Sequence, residues 1–169
     1  MASEVRRKVF ETMEEYSKIL NPKNKNWRVL EVGIDGDPKP GGNYKYFGDG
    51  NVYETLDYLK RVNPTYVQDI QKTVLSSEFF DLIICSQTLE HVYNPIKAIH
   101  EIFRLTKKGG HAILDAPFDY PYHPASGYGD YWRMTPECMQ LVASKAGFEL
   151  ITKKSCGLLT SILVRRPLW

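Results

Sequence analysis

Two histidines carry side chains that could exchange a proton with a ligand. His91 and His123 each lie in a segment that leaves an apolar run typical of a buried strand. Because imidazole titrates near neutral pH, either ring could act as a general base. Either could also be a structural histidine held by hydrogen bonds, and the sequence leaves both interpretations open. His100 lies within a helical pattern and His111 begins a strand, so we assign neither a role.

A segment rich in aromatic residues, proline and glycine follows at 118–134. Asp119, Asp130 and Arg133 offer charges that could orient a polar ligand. The rings could stack on a sugar or on another planar group; they are Tyr120, Tyr122, Tyr128, Tyr131 and Trp132. Rings in a loop over a sheet also serve as packing, and the sequence does not exclude that alternative. This segment is the predicted binding site for a polar ligand.

Acidic side chains are concentrated between residues 31 and 57. They are Glu31, Asp35, Asp37, Asp49, Glu54 and Asp57. Acidic surroundings favour a cationic ligand. Asp57 and Asp69 each end a predicted strand, where a carboxylate can accept hydrogen bonds from a ligand. Glu54 would replace Asp57 in another strand register, and Asp69 could instead form a turn or cap a helix.

Alternating strands and helices must position these side chains. Short apolar runs predict strands at 27–33, 52–59, 65–70, 81–86, 111–117, 148–155 and 160–167. Helical spacing predicts helices at 3–20, 95–106 and 135–145, whereas proline and glycine predict a long loop or one short turn at 34–51. The alternation predicts an α/β three-layer sandwich with a largely parallel sheet. Ligands of such sheets bind outside the carboxyl ends of the strands.

The chain is about one domain long, at 169 residues. Residues 1–26 form the predicted N-terminal packing helix and linker, and residues 27–169 form the main body of that single domain. We expect the helix to lie on the edge of the sheet. The alternative is a segment that gates the site or binds a partner.

Composition excludes several classes of protein. A formal net charge of +2 disfavours nucleic-acid binding, because phosphate-backbone binders are strongly basic. No apolar run approaches the roughly 20 residues of a membrane span, and the N-terminus lacks the apolar core of a signal peptide. Three cysteines without a C-x-x-C spacing argue against a secreted disulfide framework and against a four-ligand zinc site. The expected location is the cytoplasm.

Two stretches resemble a known family. WRVLEVGIDGD, Asp57, Asp69 and FFDLIICSQTLEHVYNPIKAIHEIFRLTKKGGHAILDAPF resemble the class I S-adenosylmethionine-dependent methyltransferases, most closely the type 11 branch. The segment YPYHPASGYGDYWRMTPECM resembles a signature of bacterial methyltransferase-like proteins often associated with polysaccharide biosynthesis. The resemblance runs from about Trp27 to Ile151. It implies a Rossmann-like α/β/α sandwich with a mostly parallel seven-stranded sheet whose last strand is antiparallel.

The resemblance also implies a function and its residues. The chain would transfer a methyl group from S-adenosylmethionine to a small-molecule or saccharide acceptor. Asp57 would accept hydrogen bonds from the ribose hydroxyls, Asp69 and Ile70 would lie beside the adenine, and Gly33 would let the backbone approach the cofactor. The other predicted cofactor contacts are Glu31, Asp35, Gly36 and Ser86. His91 and His123 are the candidate bases, and the acceptor would contact Asp119, Tyr122, Tyr131, Trp132 and Arg133.

The sequence departs from the family pattern at its glycine turn. Asp35 and Asp37 stand at two of the glycine positions, and a proline- and glycine-rich stretch replaces the next helix. The alternative function is therefore a methyltransferase-like binding or scaffold protein without catalysis. The site would be open or completed by a partner subunit, for example in a homodimer. Some quinone O-methyltransferases bind a divalent cation with an extra acid where this chain has Gln87, so we expect no metal site at Glu90 and His91.

Overall fold

The computed structural model describes residues 2–34, 42–124 and 127–169, in which strands and helices alternate. Four helices are described: α1 (Ala2–Leu20), α2 (Tyr44–Phe47), α3 (Pro95–Leu105) and α4 (Pro136–Ala146). The strands of the same residues are β1 (Arg28–Val32), β2 (Val52–Asp57), β3 (Tyr66–Val67), β4 (Phe80–Ser86), β5 (Thr106–Pro117), β6 (Glu149–Ser155) and β7 (Leu159–Arg165).

All of these strands join one sheet in the order β3-β2-β1-β4-β5-β7-β6. The first five strands of that order pair in parallel, and β7 runs antiparallel to both β5 and β6. The strand order reverses between β1 and β4, which is where α/β sheets of this kind bind ligands. The predicted mostly parallel sheet with an antiparallel last strand is confirmed.

The sheet is buried on both faces, which gives three layers. Along β4, Ile83 and Cys85 join the core under α3 and α4, whereas Leu82 and Ile84 join the core under α1. This two-sided burial explains why β4 is a continuous apolar run rather than an alternating one. Met13 of α1 is fully buried in the second core. The expectation that α1 lies on the sheet edge is therefore wrong, because α1 packs on a face of the sheet.

Helices α3 and α4 begin where their capping residues predict. The side chain of Asn94 accepts a hydrogen bond from the Lys97 amide, and Thr135 accepts one from the Cys138 amide. Proline follows each cap, and its missing N–H is not needed at that position. Gly147 ends α4 in the left-handed conformation.

Two predicted strands differ from the structure by three or more residues at one end. α3 ends at Leu105 and β5 begins at Thr106, five residues before the predicted strand, because Thr106 pairs with Phe80 ahead of an irregularity in the ladder. β3 spans only Tyr66–Val67, so Asp69 lies in the loop that follows. Within the segment 34–51, the short helix α2 agrees with the expected single turn, whereas Asp35 and Gly36 lie outside the described residues.

No helix among the described residues is both long and apolar enough to cross a lipid bilayer.

Candidate active site

A cavity of about 340 Å³ opens at the carboxyl ends of the central strands. The ends of β1, β2 and β4 and the loops that follow them form its walls. Its remaining wall comes from the aromatic segment that follows β5. The lining residues are 32–34, 56–58, 68–71, 86–88, 91–93, 127, 128 and 131. The fold of the sheet therefore brings five separate parts of the chain to one cavity, including the loop after β3.

Asp57 lies at the end of β2, where the backbone fixes its carboxylate. One oxygen accepts a hydrogen bond from the Leu59 amide (2.7 Å), and the other accepts one from the Ile34 amide (3.1 Å). Each oxygen keeps a lone pair for a further donor. Glu54, the alternative acid, is instead ion-paired with Arg28 (2.8 Å) and lies away from the cavity lining. The register therefore favours Asp57.

Gly33 and Glu31 have structural roles at the end of β1. Gly33 has a φ of +73°, and a Cβ there would lie 2.0 Å from Oγ1 of Thr88. The Thr88 side chain therefore fills the space beside Gly33, where the cofactor was predicted to approach the backbone. Glu31 is buried and accepts hydrogen bonds from Asn43 and Tyr53, at 2.7 Å each. Burial raises the pKa of Glu31, which is not among the residues that line the cavity.

The loop after β3 contributes Asp69 and Ile70 to the cavity wall. Asp69 Oδ1 accepts a hydrogen bond from the Gln71 amide (2.9 Å), so its side chain forms the turn that the sequence offered as an alternative. Ile70 is almost fully buried and belongs to the core on the α3 and α4 side. Contacts within the protein thus fix the positions of both Asp69 and Ile70.

The end of β4 is organised by a buried acid on the neighbouring strand. Oδ1 of Asp115 accepts hydrogen bonds from the Ser86 hydroxyl (3.0 Å), the Gln87 amide (3.2 Å) and the Gln87 side chain (2.7 Å). Burial raises the pKa of Asp115 to about 6. Ser86 and Gln87 both line the cavity, and Asp115 positions them.

The two candidate bases lie together with a buried acid. The rings of His91 and His123 are 5.2 Å apart, and the carboxylate of Glu90 lies beside both. His91 lines the cavity, and burial lowers its pKa. Glu90 is fully buried, and burial raises its pKa to about 8. We call Glu90, His91 and His123 the Glu90 cluster.

Charged side chains within the aromatic segment hold it beside the cavity. Arg133 pairs with Asp130 (2.5 Å) and donates to the Tyr120 carbonyl (3.0 Å). The guanidinium of Arg133 holds the pKa of Asp130 well below its usual range. The Tyr58 hydroxyl donates to the Gly127 carbonyl, which links this segment to the end of β2. Arg133, which was predicted to contact the acceptor, therefore holds the conformation of the aromatic segment.

The other residues predicted to contact the acceptor lie at different places in the structure. Tyr131 lines the main cavity and also a second, largely apolar cavity. Trp132 lines this second cavity, and its indole N–H donates to the Val92 carbonyl (3.0 Å). Asp119 and Tyr122 are exposed and line neither cavity.

Sequence reasoning did not select Glu90, Asp115 or Tyr58 as site residues. Asp115 had a usable signal, because it is an acid inside the apolar run of a predicted strand near its carboxyl end. Glu90 had a weaker one, since it directly precedes His91. The contact of Tyr58 with Gly127 joins residues far apart in the chain, and no local pattern marks it.

Comparisons with known proteins agree with this geometry. Residues 48–114 match the family model described as a methyltransferase domain. An S-adenosylmethionine-dependent methyltransferase of Mesorhizobium loti superposes with a TM-score of 0.69 at 12% identity, covering 90% of this chain and 96% of the other. A methyltransferase of Aquifex aeolicus gives a TM-score of 0.68 at 14% identity, covering 90% and 88%.

A third structure, the 1,6-didemethyltoxoflavin-N1-methyltransferase of Burkholderia thailandensis with 1,6-didemethyltoxoflavin and S-adenosylhomocysteine bound, gives a TM-score of 0.67. It is 16% identical, and the match covers 97% of this chain and 83% of the other. No curated protein matches the chain by sequence. At these identities the structures establish the shared fold. The matched segment is thus similar to a methyltransferase domain, and the fold as a whole is that of S-adenosylmethionine-dependent methyltransferases.

Proposed function

We propose that the chain transfers the methyl group of S-adenosylmethionine to a polar acceptor, either a small molecule or a saccharide. The observation that carries the proposal is the fixed carboxylate of Asp57 at the strand-order reversal, facing a cavity of about 340 Å³. An acid at the end of the second strand is where Rossmann-like folds bind a ribose diol.

The described residues fit the cofactor along the length of the cavity. Asp57 would accept hydrogen bonds from the ribose hydroxyls through the lone pairs that its two backbone donors leave free. Asp69 and Ile70, on the adjacent loop, would hold the adenine between a carboxylate and an apolar side chain. Ser86 and Gly33 line the same cavity at the ends of β4 and β1. Glu31 would act indirectly, by fixing Tyr53 and Asn43 behind this wall.

S-adenosylmethionine supplies an electrophilic methyl group on a sulfonium, and the acceptor oxygen or nitrogen takes that methyl as the carbon–sulfur bond breaks. The protein's part is to hold the acceptor in line and to take up its proton. His91 is the base candidate at the cavity wall, and His123 lies behind it. Tyr131 and Trp132 would contact the acceptor, because they line the apolar cavity next to the main one. The saccharide alternative rests on the resemblance of the 120–139 segment.

We place this activity in the cytoplasm, on the basis of the cysteine pattern, which is typical of a reducing compartment. A partner subunit, for example in a homodimer, would complete a site that is open to large acceptors. The second candidate function is a binding or scaffold protein without catalysis. The observation that favours it is the replacement of two turn glycines by Asp35 and Asp37.

The test is isothermal titration of the full chain with S-adenosylhomocysteine. We expect binding by the wild type and at least about a tenfold loss of affinity in Asp57→Asn, because the amide presents a donor where the ribose hydroxyls need an acceptor. The matched control is Asp49→Asn, which removes an acid that is 66% exposed and paired only at the surface with Lys23. No binding by the wild type would favour the scaffold alternative. Equal affinity in Asp57→Asn would refute the assigned role of Asp57.

A further inference from the structure

The Glu90 cluster contains a ring nitrogen of His91 that is free to bind a cation. Nδ1 of His91 lies 2.6 Å from the carbonyl oxygen of Gly129. A carbonyl only accepts hydrogen bonds, so Nδ1 carries the proton, and the neutral ring presents Nε2 as a lone pair. That nitrogen lies 3.7 Å from Oε1 of Glu90.

His123 is oriented in the same way by a different part of the chain. Its Nδ1 lies 2.9 Å from the Pro121 carbonyl and 3.2 Å from Oδ2 of Asp130. Both neighbours are acceptors and lie closer than the Arg133 guanidinium at 3.4 Å, so Nδ1 carries the proton here too. The lone pair of Nε2 then lies 4.0 Å from the same Glu90 oxygen.

Glu90 completes a group of three acceptors without a donor. Its side chain is fully buried, and among the described residues neither carboxylate oxygen has a hydrogen-bond partner. The distances of 3.7 and 4.0 Å from Oε1 to the two nitrogens exceed hydrogen-bond length. A buried carboxylate facing two lone pairs is unfavourable unless a proton or a metal cation lies between them.

We propose that Glu90, His91 and His123 bind a divalent transition-metal ion of the zinc type. One atom from each residue lies within 4.8 Å of the others. Two imidazoles and a carboxylate are a known ligand set for zinc and related ions, and imidazole favours these over Mg²⁺. Bonds of about 2.0–2.1 Å in a tetrahedral arrangement place ligand atoms about 3.3 Å apart. The distances of 3.7 and 4.0 Å from Glu90 to the two nitrogens must therefore shorten by about 0.4 and 0.7 Å, and the widest pair, within 4.8 Å, by up to about 1.5 Å.

The surroundings of the two rings support a metal site. Ligating histidines usually donate their other N–H to a carbonyl or carboxylate, which fixes the tautomer. Gly129 does this for His91, and Pro121 with Asp130 does it for His123. Gln87 takes no part, because its side chain donates to Asp115. The expectation of no metal considered only Glu90 and His91, since the third ligand comes from a distant segment.

The position of the ion has a chemical consequence, which rests on the proposed function. Because His91 lines the main cavity, the ion would lie at its wall. Coordination lowers the pKa of a bound hydroxyl, so an acceptor hydroxyl that occupies a remaining position would lose its proton more readily, to solvent. In the metal-bound state both ring nitrogens of His91 are engaged, so His91 would act as a ligand and not as the base. The binding of the ion itself does not depend on methyl transfer.

The experiment is calorimetric titration of the chelator-treated full chain with Zn²⁺, without cofactor. We expect one ion per chain, and at least about a tenfold loss of affinity in His123→Ala and in Glu90→Gln. The His123 side chain is 32% exposed, so its truncation leaves the core intact. His100→Ala, an exposed histidine of α3, is the matched control and should bind as the wild type does.

Exposed thiols are the competing zinc ligands. Cys138 and Cys156 are both exposed, so the titration is repeated in the Cys138→Ser/Cys156→Ser protein, where the site should persist. Co²⁺ offers a second readout, because its visible spectrum reports nitrogen and oxygen ligands and should change in His123→Ala. No binding up to millimolar Zn²⁺ in the thiol-free protein would overturn the proposal. So would equal affinity in His123→Ala.

Discussion

Gly33 shows how a single residue shapes the floor of the cavity. Its φ of +73° is a conformation that side chains rarely adopt, and its bare Cα faces Thr88 at the end of β4. The Thr88 hydroxyl lies 3.0 Å from the Val32 carbonyl and 2.9 Å from the Ser86 carbonyl. The side chain of Thr88 therefore fills the space between the ends of β1 and β4, which only glycine leaves open.

Gly33→Ala should consequently destabilise the fold more than a positive φ alone requires. We expect a loss of about 2 to 4 kcal/mol in the free energy of unfolding, from backbone strain plus the clash with Thr88. Gly157→Ala is the control, because Gly157 has a φ of +80° with nothing within 4 Å of its Cβ position. Its loss should be about 1 kcal/mol. Urea unfolding measures both, and equal losses would show that Thr88 moves aside freely.

At the residue scale, the sequence predicts strand-end acids better than convergent side chains. Asp57 is predictable because a parallel strand places its last residue at the ligand-binding edge. The meeting of His123 with Glu90 depends on the irregular course of the aromatic segment, which no periodic pattern encodes. Arg133 was predicted to bind the acceptor. It pairs with Asp130 in the fold, and no pattern in the sequence indicates that pairing.

At the scale of elements, α3 anchors the loop that carries Asp69 and Ile70. Glu101 of α3 accepts hydrogen bonds from the amide (2.9 Å) and hydroxyl (2.7 Å) of Thr73, and Arg104 pairs with Glu101 at 2.7 Å. Arg104 and Thr73 lower the pKa of Glu101 to about 2. Helix α3 thus fixes one wall of the cavity.

Glu101→Gln should weaken this anchor in a pH-dependent way. The folded pKa of about 2 lies below the ordinary glutamate value of 4.5, so the carboxylate stabilises the fold above pH 4.5 and loses that effect as pH falls towards 2. We expect the variant to lose about 1 to 2 kcal/mol at pH 7, and the difference from wild type to shrink with acid. The control Glu137→Gln changes an acid that is 78% exposed on α4 and should have little effect. Urea unfolding across pH checks this, and a pH-independent difference would contradict it.

Elements with strong local signals were predictable, and those set by neighbours were not. Asn94-Pro95 and Thr135-Pro136 mark helix starts because capping and the missing proline N–H act locally. The early start of β5 at Thr106 depends on pairing with Phe80 of another strand. The brevity of β3 likewise depends on its pairing with the end of β2.

At the scale of the molecule, the cavity exists only when the sheet is assembled. Its walls come from the ends of β1, β2 and β4, which the strand order brings together around the reversal between β1 and β4. α1 closes one face of that sheet, and α3 and α4 close the other. A ligand held by these strand ends binds the folded chain and has no site in the unfolded one.

Saturating S-adenosylhomocysteine should therefore raise the melting temperature of the whole chain. At a ligand concentration one hundred times the dissociation constant, linkage gives about 2.7 kcal/mol of stabilisation. For a chain of this size that corresponds to an increase of roughly 5 to 10 °C. Differential scanning calorimetry measures the shift, which should be preserved in Asp49→Asn. In Asp57→Asn at the same ligand concentration it should fall to about half or less, because a tenfold loss of affinity leaves about 1.4 kcal/mol of stabilisation. A ligand that binds only the folded state must stabilise that state. An unchanged melting temperature of the wild type at millimolar ligand would therefore contradict a working cofactor site and support the binding-protein alternative.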